Sequence, residues 1–370
     1  MLPRDVILSR EVILRPPTPA DIEPIARACA DPRIHRFLPA LPVPYTRDDA
    51  VAYLKAAEQV WEAGGALFAA ADPGTDEWMG NIELKPLDAR GNGEIGYLVA
   101  PWAQGRGVAT AATRALTDWA FALGVRRLEL LASVENLASQ RVAMAAGFHR
   151  EGVRRSAEAL RDGTRGDLVA FARLHGESGE RLRPFLPSFP GGSLSDGVVR
   201  LVPLGPEDTH DYHMLENLPD VVRYSVPPEG PDLVRAERLC RETGAHWLAG
   251  ERAEMTIRDA GTGAFAGHIQ LTSIVPLLGQ AMTGYSMLPG FRGRGFMTRA
   301  VNLLVEWAFE HTALSRVVAG TSPANLASHR VLERAGFTRE GLVHGLLPGP
   351  GGTRLDDLRW YRLRRGRTGA

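Results

Sequence analysis

One short glycine-rich segment occurs twice in the chain. Each occurrence follows a run of β-branched and aromatic residues and precedes apolar residues at helical spacing. Glycines let the backbone approach a ligand closely, and the free N–H groups at a helix start favour an anion such as a pyrophosphate. Arg106 and Arg294 could add positive charge there. The alternative is a tight turn without a ligand. The two candidate anion sites are Gln104, Gly105, Arg106, Gly107, Val108, Ala109 and Thr110, and Arg292, Gly293, Arg294, Gly295, Phe296, Met297 and Thr298.

Two other phosphate-binding patterns are rejected. A dinucleotide-binding turn is suggested by Gly105 and Gly107 before a helix, with Glu129 at about the expected distance of roughly 20 residues. The third glycine of that pattern is missing, however, and the turn follows several strands instead of beginning the domain. A Walker A loop is excluded because the chain has no Gly-Lys-Ser/Thr sequence.

Composition narrows the function classes. The 370 residues include 43 Lys+Arg and 43 Asp+Glu, and this zero net charge argues against a nucleic-acid binder. The two cysteines, Cys29 and Cys240, can form neither a disulfide framework nor a CxxC metal pair. We expect no metal site. No apolar run approaches the roughly 18 residues of a membrane span, so we expect no membrane association and a cytoplasmic protein.

The elements that position the glycine-rich segments belong to a large internal repeat. Residues 96–121 recur at 284–309 with an offset of 188, and residues 136–152 recur at 325–341 with an offset of 189. Two copies of one domain are therefore predicted, at 1–175 and 195–370. The Pro-, Gly- and Ser-containing segment 176–194 is the predicted linker.

Within the first copy, the spacing of apolar residues and the positions of glycine and proline predict a mixed α/β sheet with helices on its faces. The expected order is strand, glycine-rich turn, helix, strand, helix, strand. The predicted strands are 66–71, 79–85, 94–100 and 128–133, and the predicted helices run from Val108 to Gly124 and from Leu137 to Ala146.

This order of motifs resembles the GCN5-related N-acetyltransferase (GNAT) superfamily, and within it the RimJ/RimL type. The resemblance implies two tandem GNAT-like domains, each with a mixed, mostly antiparallel sheet, a splayed central strand pair and helices on both faces. The matching residues are Gln104, Gly107, Ala109, Asn136, Ser139, Gly147-Phe148 and Glu151-Gly152, and then Arg292, Gly295, Asn325, Ser328, Gly336-Phe337 and Glu340-Gly341.

The resemblance also implies acetyl-CoA or another acyl-CoA as co-substrate. The strand before the turn would carry a bulge, and its backbone would bind the pantetheine at Leu98 and Val99, and at Met287 and Leu288. A backbone N–H near Val99 would stabilise the developing oxyanion. A donor carried on acyl carrier protein is an alternative, since its phosphopantetheine arm is the part that such a strand binds.

The resemblance also implies catalytic residues in this strand and at the start of the helix after the next strand. Glu94 is the first candidate for the general base, and its alternative role is a surface or ion-paired glutamate. Ser139 could protonate the departing sulfur, while Asn136 could hold the pantetheine amides and also cap its helix. Ser328 and Asn325 occupy the same places in the second copy.

The two copies are unequal. Glu94 aligns with Met282, which cannot accept a proton, and Ala109 aligns with Met297, whose side chain could crowd the turn. The first copy is therefore expected to be the more regular catalyst. The second is a weakened CoA binder, a substrate wall or an active site with different chemistry.

The leading functional hypothesis is an acyl-CoA-dependent N-acyltransferase. Its acceptor would be a primary amine, either on a small molecule or at a peptide or protein N-terminus. Segments 30–65 and 217–250 are expected to shape the acceptor site. The rival hypothesis is a CoA-binding sensor or scaffold without catalysis.

Overall fold

The computed structural model describes residues 2–4 and 6–365 and divides the chain into two compact units, Met1–Arg183 and Pro184–Ala370. The division falls inside the segment predicted as a linker. Part of that segment packs within the second unit, where Leu186 and Phe189 are buried. The rings of Trp247 and Trp307 lie edge-on to Phe189, at centroid distances of 5.0 and 4.8 Å.

The first unit contains one eight-stranded sheet in the order β1-β2-β3-β4-β5-β6-β8-β7. Its strands are β1 (Ile7–Leu8), β2 (Ile13–Arg15), β3 (Ala66–Ala71), β4 (Trp78–Leu84), β5 (Gly93–Val99), β6 (Arg127–Ser133), β7 (His149–Ala159) and β8 (Arg165–Leu174). Its helices are α1 (Ile22–Cys29), α2 (Pro32–His35), α3 (Arg47–Glu62), α4 (Val108–Ala122) and α5 (Leu137–Ala145).

The second unit repeats this arrangement, with the sheet order β15-β16-β14-β13-β12-β11-β10-β9. Its strands are β9 (Leu194–Ser195), β10 (Val199–Pro203), β11 (Ala253–Asp259), β12 (Phe265–Val275), β13 (Gln280–Met287), β14 (Arg316–Thr321), β15 (Thr338–Pro348) and β16 (Arg354–Leu363). Its helices are α6 (Thr209–Glu216), α7 (Pro219–Val222), α8 (Leu233–Leu248), α9 (Phe296–His311) and α10 (Leu326–Arg334).

Each sheet contains one parallel pair at its centre, and that pair separates after three residues. β5 pairs with β6 only over Gly93–Ile95, and β13 pairs with β14 only over Gln280–Met282. The other strand pairs of the described residues are antiparallel. The predicted fold class, with a splayed central strand pair in each of two tandem domains, is confirmed.

The helix after each splayed strand is explained by the regular spacing of its apolar residues. In α4, Val108, Ala112, Leu116 and Ala120 are buried at spacings of four residues, which places one stripe against the sheet. The helix is followed by Gly124, whose φ of 93° lies in the left-handed region that ends helices. This stripe fixes the position of the glycine-rich turn at the mouth of the splay.

Candidate active site

The gap between β5 and β6 exposes a short run of backbone groups on β5. Lys85 N–H donates to the Glu94 carbonyl, and Ala100 N–H donates to the Met79 carbonyl, so alternate residues of β5 bond towards β4. The groups of Tyr97 and Val99 therefore point towards the gap. Pantetheine binding at Val99 stays a prediction, and the predicted contact at Leu98 does not fit this register, because the Leu98 groups bond towards β4.

The bulge expected in this strand is absent. β5 pairs with β4 in continuous register from Gly80↔Val99 to Leu84↔Ile95. The splay arises instead because the parallel ladder to β6 stops at Ile95. The same holds in the second unit, where β12 and β13 pair without a register shift from Gly267↔Met287 to Thr272↔Met282.

The glycine-rich turns have open backbones. Gly105 and Gly107 have φ values of 76° and 83°, Gly293 and Gly295 have 72° and 79°, and a Cβ atom built on any of them would meet nothing within 4 Å. Gly107 and Gly295 are the N-cap residues of α4 and α9 and have no side chain to occupy the first free N–H groups. The turns thus fit a phosphate group.

The first side chain of each turn holds the end of the splayed strand. Gln104 Nε2 donates to the Val99 carbonyl at 3.3 Å. In the second unit, Arg292 donates to the Met287 carbonyl from Nε at 2.9 Å and from Nη2 at 2.7 Å. These two residues therefore support the turn, and the cofactor role predicted for them remains a hypothesis.

The arginines between the glycines are exposed and have carboxylate partners. Arg106 lies 3.2 Å from Asp72, and Arg294 lies 3.8 Å from Asp259. Ion pairs this exposed contribute little to stability, so either guanidinium can turn towards a bound anion at small cost.

The idea that Met297 crowds the second turn is wrong. Its side chain is 7% exposed and packs in the core of the second unit with Ala300, Val301 and Leu304. The spacing of these residues along α9 points Met297 inward, away from the turn.

A tyrosine and a serine meet across each splay. Tyr97 Oη lies 2.7 Å from Ser139 Oγ, and Tyr285 Oη lies 2.8 Å from Ser328 Oγ. Burial raises the pKa of Tyr97 to about 12, although the Ser139 hydrogen bond acts in the opposite direction. The two pairs join residues 42 and 43 positions apart, and the sequence analysis predicted neither pair.

The asparagines cap their helices, as the sequence interpretation allowed. Asn136 Oδ1 accepts a hydrogen bond from Ser139 N–H at 3.0 Å, and Asn325 Oδ1 accepts one from Ser328 N–H at 3.2 Å. The caps hold Ser139 and Ser328 in the first turn of α5 and α10, where they face the tyrosines. Pantetheine binding by Asn136 and Asn325 remains a hypothesis.

Glu94 lies just before the splay. Its Oε1 is 2.5 Å from Lys85 Nζ. In the parallel part of the ladder, the Glu94 backbone pairs with Glu129 of β6. The carboxylate is partly exposed and ion-paired, which is the alternative role considered for it. A catalytic role for Glu94 stays a prediction.

Glu83 is a second carboxylate, which the sequence interpretation did not consider. It pairs with Gly96, the first residue beyond the parallel ladder, and its Oε1 lies 3.0 Å from the position of a Cβ atom on Gly96. Burial raises the pKa of Glu83, with the charge of Glu94 adding to the rise and Lys85 opposing it. An acidic residue inside a strand of otherwise buried residues was the signal in the sequence.

The second unit has an amide at the equivalent place. Gln270 pairs with Gly284 as Glu83 pairs with Gly96, and its Nε2 lies 3.0 Å from the corresponding Cβ position. An amide cannot take a proton from an amine at neutral pH. The two units therefore differ at Glu83 as well as at Glu94.

A cavity of about 610 Å³ in the first unit lies between segment 37–41 and Glu158–Leu160 of the β7–β8 hairpin. Arg161 donates to the carbonyls of Leu38 and Leu41 and joins the two walls. Burial raises the pKa of Glu158 in this cavity. The cavity contains part of segment 30–65, in which an acceptor site is predicted.

Metal-ligand clusters, membrane-spanning helices and disulfides are absent from residues 2–4 and 6–365. These residues contain no cluster of three His, Cys, Asp or Glu side chains able to hold a metal ion. None of their helices is both long and apolar enough to cross a membrane. Both cysteines are buried and unpaired by disulfide.

Individual relatives match parts of the chain. A probable N-acetyltransferase YjcK of Bacillus subtilis is 44% identical over 78 residues, covering 21% of this chain and 43% of the relative. The chain spans less than half the length of this protein and of two further Bacillus subtilis relatives. An aminoglycoside N(6')-acetyltransferase type 1 of Klebsiella pneumoniae is 26% identical over 163 residues, covering 36% of this chain and 81% of that enzyme.

Among solved structures, Mycobacterium smegmatis RimJ in complex with CoA-disulfide is 21% identical, with a TM-score of 0.44, covering 51% of this chain and 93% of that one. The family model described as the acetyltransferase (GNAT) domain matches the chain twice, at residues 11–149 and 199–338. The chain therefore belongs to the GNAT family of acetyl-CoA-dependent acetyltransferases and carries two copies of its domain in tandem.

Proposed function

We propose that this protein transfers an acetyl group from acetyl-CoA to a primary amine at the splay of the first unit. The observation that carries the proposal is the position of Glu83, a partly buried carboxylate beside Gly96 where β5 leaves β6. An open anion-binding turn lies at the other end of the same strand. The same gap thus has a candidate base and a place for the donor.

Acetyl-CoA supplies a thioester whose carbonyl carbon the amine attacks directly, so the new amide bond forms as the C–S bond breaks. Val99 N–H, directed towards the gap, is placed to donate to the carbonyl oxygen as it gains negative charge. Residues 105–110 would hold the pyrophosphate on free backbone N–H groups. Val99 and its neighbour Tyr97 would hold the pantetheine by their backbone, whereas the backbone groups of Leu98 bond towards β4.

Two proton movements complete the reaction. Glu83 accepts the proton that the amine loses, and a carboxyl with a raised pKa is suited to that task near neutral pH. The Ser139 hydroxyl donates a proton to the departing thiolate, and Tyr97 replaces it through their 2.7 Å contact. Glu94, the base expected from sequence, would act only through water, because Lys85 holds its carboxylate.

We infer an amine with an apolar body as acceptor. The cavity between segment 37–41 and the β7–β8 hairpin is lined mainly by Phe37, Leu38, Leu41 and Leu160, with Glu158 as its acidic group. Protein N-termini with apolar side chains and small apolar amines both meet this description. One relative is named as a putative ribosomal N-acetyltransferase, and another as an aminoglycoside acetyltransferase, whose polar acceptor class does not meet it. The relatives named above give no support to acyl carrier protein as the donor.

The test is thiol release from acetyl-CoA with a panel of amines. The panel should include peptides with free N-termini, aminoglycosides and small aromatic amines, and product mass should rise by one acetyl group. Release that depends on amine supports the transferase. Tight CoA binding with no release for any amine would support the sensor instead, and failure to bind CoA would contradict both.

A further inference from the structure

The second unit contains a line of ionisable groups that leads from its core to its splayed strand. We call Glu254, His268, Glu216 and Ser286 the second-unit relay. Glu254 lies on β11, His268 on β12, Glu216 at the end of α6 and Ser286 on β13. Neither the turn nor the Tyr285–Ser328 pair uses any of them.

Two hydrogen bonds and one longer ion-pair contact join the members of the relay. His268 Nε2 lies 2.6 Å from Glu254 Oε2, and His268 Nδ1 lies 3.7 Å from Glu216 Oε1. The Ser286 hydroxyl donates to Glu216 Oε1. Glu254 and His268 are 1% and 3% exposed, whereas the Glu216 side chain is 17% exposed, so the line runs from buried to accessible.

The accessible end lies beside the strand that would hold the acyl group. Ser286 stands between Tyr285 and Met287, beyond the last parallel pair at Met282. It pairs with His268 as Leu98 pairs with Asn81 in the first unit. Glu216 therefore reaches the second splay at the level of the residues predicted to bind pantetheine.

The first unit has neutral residues at all four places. Strand register matches Glu254 with Leu67 and His268 with Asn81, because Glu254 pairs with Gln270 as Leu67 pairs with Glu83. Ser286 corresponds to Leu98 by the repeat offset of 188. Glu216, the last residue of α6, corresponds to Cys29, the last residue of α1.

His268 is surrounded by two carboxylates, one arginine and one aromatic ring. Arg252 contacts Glu254 from one side, and the Tyr212 ring lies edge-on to His268 at a centroid distance of 5.1 Å. Burial lowers the pKa of His268, but the charges of Glu254 and Glu216 outweigh burial and raise it overall. A protonated His268 would place a positive charge beside the Glu216 carboxylate.

We propose that the second unit is a second acyl-transfer site, in which Glu216 takes the proton of the attacking amine. His268, held by Glu254, is the residue that positions the Glu216 carboxylate. This proposal rests on the proposed function, because it gives the same reaction to the second unit. The amine nitrogen bonds to the acyl carbon, the C–S bond breaks, the amine proton passes to Glu216 Oε1, and the thiolate takes its proton from Ser328. Gln270 cannot serve as the base, which leaves this role to Glu216.

The test uses the full chain carrying Glu83→Gln, which removes the base proposed for the first unit. The residual amine-dependent thiol release is then compared after adding Glu216→Gln, Glu216→Asp or the control Glu310→Gln, an exposed acid of α9 in the same unit. We expect Glu216→Gln to lower the residual kcat by about 10²-fold or more, as loss of a general base does. Glu216→Asp should restore part of it, and Glu310→Gln should leave it unchanged.

A third variant, His268→Asn, introduces the residue that the first unit carries. Loss of the positive charge beside Glu216 should move the acidic limb of the pH–rate profile of the residual release. A uniform fall in rate with an unmoved profile would mean a purely structural His268 and would overturn the relay. Two results would overturn the second site alone. Either the Glu83→Gln chain releases no thiol at all, or its release is unaffected by adding Glu216→Gln. A wild-type chain inactive with every amine would overturn the proposed function as well.

Discussion

Replacing Glu83 by Gln should abolish most turnover at the first site without weakening the fold. Glutamine keeps the size of the side chain beside Gly96 but cannot take a proton. Loss of a general base costs about 10²–10⁴-fold in kcat, which corresponds to roughly 3–5 kcal/mol of transition-state stabilisation. We expect the kcat of the first site to fall by this amount and its KM to change little, measured as amine-dependent thiol release in chains that also carry Glu216→Gln to silence the second unit.

The matched control is Glu94→Gln. Glu94 is the same residue type, lies two positions from Gly96 in the same strand, and is held by Lys85 at 2.5 Å. A partly exposed ion pair contributes only about 0–1 kcal/mol to stability, and its loss removes no proton acceptor from the proposed reaction, so kcat should change little. Any residual rate in Glu83→Gln should come from the second unit.

Stability provides an independent readout for Glu83. Its pKa is raised in the folded state, so the unfolded chain ionises at lower pH than the folded chain. Ionisation of Glu83 therefore lowers the free energy of unfolding as pH rises from its ordinary pKa through its raised pKa. Glu83→Gln should gain Tm relative to wild type above that window and gain nothing well below it. Loss of turnover in Glu94→Gln, with Glu83→Gln still active, would refute the assignment and restore Glu94 as the base.

Three further predictions concern the turn and the fold. Gly107→Ala should weaken CoA binding at the first turn, because a φ of 83° costs a side chain about 1–2 kcal/mol, and calorimetric titration should show the loss at one of two sites. Arg15→Met should destabilise the first unit by about 3–5 kcal/mol in urea unfolding, since it strips the two guanidinium bonds of 2.8 and 2.9 Å from the buried carboxylate of Asp21. Unchanged stability would mean that Asp21 is satisfied by its backbone partners alone. Gly147→Ala should lower Tm through a cost of about 1–3 kcal/mol, because its Cβ would lie 2.6 Å from Gly179 Cα, and an unchanged Tm would show that the 179 segment moves aside.

The parts of the site that sequence predicted are those encoded locally. The turn 104–110 combines glycines, a strand before it and an apolar helix stripe after it, and each of these is visible in a window of about 18 residues. The splay itself needed the family resemblance, since nothing in β5 alone says where its parallel ladder stops. The burial of Met297 was predictable from its spacing to Ala300, Val301 and Leu304, and it was misjudged by aligning it with Ala109 instead.

The parts that sequence did not predict depend on pairing between distant strands. Glu83 becomes a candidate base only because strand register puts it opposite Gly96, the residue at which the ladder ends. Tyr97 meets Ser139 only because α5 returns over the splay. Side chains in one strand are assigned a face by alternation, but their partners follow from the register of a neighbour that a single sequence does not reveal.

The two units carry acidic residues at different positions, and this difference helps to decide whether the second unit has lost its activity. Loss of a catalytic carboxylate alone would leave a neutral site, and Gln270 in place of Glu83 fits that expectation. The second unit also has Glu216 where the first has Cys29, so an accessible carboxylate is present near the splayed strand in each unit. Burying Glu254 and His268 behind it costs solvation free energy that a hydrophobic core would not, and the first unit folds with Leu67 and Asn81 there. A network with that cost, directed at the strand proposed to bind the acyl group, is better explained by proton transfer at a second site than by stabilisation of the fold.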